Sequence, residues 1–125
     1  MIIKKLVVGS LFSMLLVSEM AAADWGDVYY CQMTNFIEIT IEGEKESNEL
    51  DKFQFKLDQA KNAMVFGDKG YLRGFVLDLY TGSQIKQERW AGGGVRSLYK
   101  FDEGNFLYSS MLSRALIISA YCDKF

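Results

Sequence analysis

Polar and apolar residues alternate along most of this chain, and that period of two confines it to β-structure. Lys52-Phe53-Gln54-Phe55-Lys56-Leu57-Asp58 alternates strictly, and Ile37-Glu38-Ile39-Thr40-Ile41-Glu42 reads as an equally strict in–out strand. Side chains two apart share one face of a strand, whereas a helix needs apolar residues three and four apart. Tyr29, Cys31 and Met33 share one parity, as do Phe75, Leu77 and Leu79. Near the end, Leu116, Ile118, Ala120 and Cys122 form one face, and Ser119, Tyr121 and Asp123 the other. The breaks carry turn chemistry. Gly43 to Asp51 is an acidic loop, and Gly67-Asp68-Lys69-Gly70 and Thr81-Gly82-Ser83 are turns. Asp102-Glu103-Gly104-Asn105 joins Leu98–Phe101 to Phe106–Tyr108 as a hairpin, and Ser113-Arg114 separates the last two strands.

One segment fits two periods. Leu50, Phe53, Leu57, Ala60 and Met64 follow helical spacing. As one helix, however, the segment would turn Phe55 about 200° away from Phe53, onto the solvent side. The strand reading keeps Phe53, Phe55 and Leu57 on one face, with a turn around Asp58–Asn62 before the next strand. The fold class is therefore all-β. We expect about seven or eight antiparallel strands in a meander, closing into a small barrel or a two-sheet sandwich. The sequence has no proline to blunt an edge strand, which favours closure.

Two cysteines, Cys31 and Cys122, bracket this pattern, both on apolar parities. The chain opens as an export signal does. Lys4 and Lys5 precede the apolar run Leu6–Val17, and Ala21-Ala22-Ala23 offers small residues for cleavage. The expected division is a cleaved signal over 1–23 and a single β-rich domain over 24–125, in the periplasm or outside the cell. Two thiols in an exported chain predict one disulfide between the first and last strands. The residues are 91 apart, and closing a loop of that size stabilises by roughly 4–5 kcal/mol in the chain-entropy treatment.

Composition excludes several functions. Loss of Lys4, Lys5 and Glu19 with the signal takes the net charge from −2 to −3. No basic stripe invites nucleic acid, and no polybasic run invites anionic lipid. No second long apolar stretch implies a membrane span in the mature chain. The chain has no histidine, so Ser-His-Asp and Cys-His sets are impossible, and two cysteines do not make a zinc site. The run Glu42, Glu44, Glu46, Glu49, Asp51 lacks calcium-loop spacing and reads as a solvated loop. Gly92-Gly93-Gly94 lacks the Lys-Ser/Thr of a phosphate-binding loop and reads as a mobile connection. No cofactor is implied. The terminal Phe125 suggests an outer-membrane barrel, but Asp123 and Ser119 interrupt the lipid-facing alternation that such a strand needs.

The best local candidate for binding is Arg89, Trp90 and Arg96, which set a large aromatic and two cations around the glycines. The competing reading has Trp90 closing one end of a barrel and the arginines pairing with surface acids. The outline of an export signal, a compact barrel, Tyr29-Tyr30-Cys31 and Tyr121-Cys122 resembles the small periplasmic inhibitors of c-type lysozyme. No Ser-Gly-x-x-Tyr segment carries that family's binding residues here, so the resemblance implies an outline and no inhibitory site. The reading that results is an exported, non-catalytic binding or interaction module. Its partner is another protein, an envelope component or a small apolar ligand. The alternatives are a structural or assembly protein of the envelope and a small carboxylate-based hydrolase.

Overall fold

The structure, a computed structural model, describes residues 22–81 and 89–125. The signal segment up to residue 21 and the turn at Gly82-Ser83 lie outside these residues. The described residues contain no helix. They form β1 (Val28–Ile39), β2 (Lys45–Ser47), β3 (Lys52–Asp58), β4 (Ala63–Phe66) and β5 (Val76–Asp78), then β6 (Ala91–Gly93), β7 (Ser97–Asp102), β8 (Asn105–Met111) and β9 (Ala115–Lys124). All pair antiparallel in the order β5-β4-β3-β1-β9-β8-β7-β6, with β2 on the upper part of β1. The eight-strand path is a meander whose first and last strands meet, and its free edges, β5 and β6, come together to close a barrel almost completely.

Each strand's alternation has the expected cause. Phe53, Phe55 and Leu57 of β3 are buried while Lys52 and Lys56 are exposed. Asp58 ends the strand, a tight turn follows with Asn62 at φ 49°, and β4 begins at Ala63, so the helical alternative for this segment is not what forms. The β7–β8 hairpin has the two-residue loop Glu103-Gly104 with φ 48° and 83°, the pair of positive φ angles a type I′ turn needs. Cys31 faces Cys122 directly in the β1–β9 ladder, and the two are bonded.

The other seam is made by glycine. The Tyr80 N–H donates to the Ala91 carbonyl across 2.9 Å, and the Tyr99 hydroxyl donates to the Asp78 carbonyl. Gly92 and Gly93 are not a loose connection but the strand β6 itself. A Cβ on Gly92 would run into the Asp78 carbonyl and the Tyr99 ring, and one on Gly93 would lie 2.6 Å from Leu98 Cδ2. The glycines let two backbones approach where the barrel shuts.

Antiparallel pairing sends the turns after β1, β4, β6 and β8 to one rim, termed upper here, and those after β3 and β7 to the lower rim. Both rims are plugged. Leu72, fully buried, comes from the loop after β4 at the upper rim. Trp90 is 6% exposed and packs edge-on against Trp25 at 4.8 Å, closing the lower rim. Between them Phe55 and Phe106 centre a cluster of rings that includes Phe53, Phe66 and Phe101.

Candidate interaction surface

A β-bulge in β1 decides what the barrel shows to solvent. Met33 faces Ala120, but the next inward pair is Phe36 with Ile118, so Thr34 and Asn35 together oppose Ser119. The Ser119 hydroxyl meets both, at 2.8 Å to Thr34 Oγ1 and 2.8 Å to Asn35 Nδ2. One extra residue inverts the facing of everything beyond it. Phe36 therefore enters the core, and Ile37, Ile39 and Ile41 turn outward. The sequence reading put these three isoleucines inside, because a bulge leaves the local alternation unbroken.

Most of their outward neighbours are also apolar. Ile37 pairs with Ile117, Ile117 with Ser109, and Ser109 with Leu98, in one row across four strands. The next row toward the rim runs Ile39, Ala115, Met111. Leu107 flanks the first row on β8. Leu98 is 59% and Met111 60% exposed, and Ile39, Leu107 and Ile117 are exposed as well. Directly opposed side chains sit about 5 Å apart, so the rows form one continuous band. Three adjacent upper turns extend it: Ile41 after β1 is 87% exposed, Leu112 after β8 is 67% exposed, and Val95 after β6 is fully exposed. Strands are about 4.8 Å apart, which spaces neighbouring tips by about 10 Å.

Burying one aliphatic side chain is worth about 1.5–3 kcal/mol at about 25 cal/mol/Å², or roughly 60–120 Å² each; the eight exposed aliphatics then offer on the order of 500–1,000 Å². The largest apolar patch on a monomer is typically about 300–600 Å². The band covers one side only, for the outward positions Lys52, Gln54, Lys56 and Asp58 of β3 are polar. A barrel embedded in lipid needs its apolar belt all the way round.

Below the band lies a shallow hollow of about 410 Å³ over Thr34, Lys100, Asp102, Leu107, Ser119 and Tyr121. It is lined by a single carboxylate, Asp102, whereas glycoside hydrolysis needs two facing each other. Among the described residues no three of Asp, Glu and Cys gather as metal ligands. The titratable groups with clear shifts are phenols of the barrel wall. Burial, with smaller contributions from Asp78, Tyr80 and Tyr108, pushes Tyr99 up to about 12. Burial also raises Tyr29 and Tyr108.

The three residues singled out from sequence divide between the rims. Arg89 and Trp90 sit together at the lower rim: the Arg89 guanidinium lies 4.4 Å from the Trp90 ring centroid, and Arg89 Nη2 pairs with Asp24 at 3.3 Å. Arg96 is in the β6–β7 turn at the upper rim. Three strand residues separate it from Trp90, about 10 Å along β6. Arg96 makes no ion pair among the described residues. Arg114, also at the upper rim, holds Glu38 of β1 at 3.1 Å and Glu46 of β2 at 3.4 Å, so one acid of the supposed solvated run is engaged. Leu98, Met111 and Ile117 are not singled out as site residues by sequence. Their signal was there, as Ala115-Leu116-Ile117-Ile118 is apolar on both parities.

The chain matches no family model, no curated protein and no solved structure. Among the described residues no helix is long and apolar enough to cross a membrane.

Proposed function

We propose that this protein is an exported, non-catalytic interaction module that engages a macromolecular partner through the outer face of β7–β8–β9–β1 and its upper turns. The observation that carries this reading is the one-sided apolar band beside a barrel whose interior is filled and whose rims are plugged by Leu72 and Trp90. Barrels that hold small ligands keep a cavity open at the mouth. Large exposed patches rimmed by polar residues mark association sites. The Cys31–Cys122 bond supports the exported part of the reading, because disulfides persist in oxidising compartments.

In-cell photo-crosslinking tests it. A photoreactive phenylalanine analogue placed at Leu98 or Ile117 should give heavier covalent adducts, and the same probe at Lys56, on the polar side, should not. Equal adduct yields from both sides, or none from the band, would overturn the reading.

A further inference from the structure

We infer that the hollow below the apolar band is a saccharide-binding site, which lays a pyranose ring flat on Tyr121 and holds its hydroxyls with Asp102, Asn105 and the Thr34–Ser119 pair. The site lies on the lower half of the same four strands and does not depend on the band. Three observations carry it: an aromatic platform, polar groups without partners in the protein, and a hydroxyl pair set by the bulge.

The strand registers bring these residues together. Gln32, Tyr121, Asn105 and Asp102 form one outward row across β1, β9, β8 and β7. The next row, toward the band, is Thr34 with Asn35, then Ser119, Leu107 and Lys100. Opposed side chains sit about 5 Å apart, and same-face neighbours along a strand about 7 Å apart. A ligand seated on Tyr121 therefore reaches both rows.

The Tyr121 ring is held in place. The Cys122 N–H donates to the Gly104 carbonyl across 2.7 Å, which folds the β7–β8 turn against β9. A Cβ on Gly104 would lie 3.4 Å from Tyr121 Cε2, so the ring lies against the bare glycine, yet Tyr121 is 51% exposed. Beside it the Asp102 carboxylate and the Asn105 amide oppose each other across the hairpin. Among the described residues neither side chain makes a hydrogen bond or an ion pair. On the other side the bulge holds the Thr34 and Ser119 hydroxyls 2.8 Å apart.

A pyranose presents a face of C–H bonds and a rim of hydroxyls, each both donor and acceptor. The electron-rich face of an aromatic ring receives the C–H bonds. A carboxylate accepts, and an amide and hydroxyls both donate and accept, so the rim finds partners of either kind. The volume of about 410 Å³ falls within the roughly 300–1,000 Å³ of small-molecule sites. A phosphate-bearing ligand calls for clustered cations, whereas the hollow sets one lysine, Lys100, near one carboxylate, Asp102. An acyl chain calls for an enclosed apolar cavity, and these two rows are mostly polar and open.

Amide chemical shifts of the nitrogen-15-labelled, oxidised protein, titrated with chitotriose, cellotriose and maltotriose to about 10 mM each, test the inference. At least one sugar should give saturating shifts centred on 32–35, 100–107 and 119–122, with Kd on the order of 1 mM. Tyr121→Ala and Asp102→Ala should each weaken that binding by about tenfold or more. Tyr121→Phe, which keeps the ring, should stay within about threefold of the wild type. Lys56→Ala, on the polar side of the barrel, should change nothing, and unaltered melting curves separate lost binding from lost folding. No saturating shifts with any of the three sugars, or wild-type affinity in Tyr121→Ala, would overturn the site. Shifts centred on Leu98 and Ile117 in place of Tyr121 would overturn it as well. Each of these failures leaves the reading of the band to its own photo-adducts.

Discussion

Trp90→Ala separates the two roles open to this residue. Trp90 is almost completely buried, packs edge-on with Trp25 at 4.8 Å and has the Arg89 guanidinium over its ring at 4.4 Å. Truncating a buried Trp to Ala costs about 3–5 kcal/mol, because transfer energy is lost and a cavity remains. The edge-on pair with Trp25 accounts for about 0.5–1.5 kcal/mol of interaction beyond area, which puts the expectation in the upper half of that range. The exposed Arg89–Asp24 pair adds little. For a domain of this size each kcal/mol moves the melting temperature by about 4–8 °C, so a fall of at least about 16 °C is expected. Urea denaturation followed by far-UV circular dichroism measures the loss without relying on tryptophan emission. Trp25→Ala in the same background should then cost less than it does in the wild type, since its partner is gone. A loss below about 1 kcal/mol would refute the plug and return Trp90 to the list of binding residues.

Other expectations follow from the seams and the phenols. Gly92→Ala should destabilise by about 2 kcal/mol or more, read by chemical denaturation, since its Cβ has no room between the Asp78 carbonyl and the Tyr99 ring; Gly94→Ala, with nothing near its Cβ, should be close to neutral. Replacing Cys31 and Cys122 together by Ala should cost about 2–5 kcal/mol, and a loss under 1 kcal/mol would show that the β1–β9 ladder alone sets the seam's strength. The folded chain holds the Tyr99 proton up to about pH 12, while the unfolded chain loses it near 10.0. Stability from this group is complete below about pH 10 and falls as pH rises toward 12, by at most about 2–3 kcal/mol. Tyr99→Phe should flatten that fall, with absorbance titration at 295 nm tracking the phenol.

Much of this architecture can be read from residue order, and the exceptions have physical causes. Lys52–Asp58 declares its strand and its facing, because both faces of that segment are chemically distinct. The hairpin at Glu103-Gly104 and the clasp of Cys31 with Cys122 are legible for the same reason: each needs particular residue types at particular positions. Ile37, Ile39 and Ile41 mislead, since their facing depends on the bulge at Thr34-Asn35, which is created by pairing with Ser119 in a strand more than eighty residues away. The glycines at 92 and 93 resemble a flexible link in sequence. Their role appears only when β5 lies against β6. The candidate surface was hidden by the same bulge: a strand with apolar residues on both parities looks like a doubly buried one until the second face is found bare.

An interaction module of this kind has the outer face of β7–β8–β9–β1 covered when it is at work. Hydroxyl-radical footprinting of the protein in its cell, compared with dilute purified protein, measures this residue by residue. Met111, Leu112 and Leu98 should be protected severalfold in the cell, while Tyr30 and Phe125, exposed at the lower end, keep their reactivity. Equal oxidation of Met111 in both settings would show that the face stays bare.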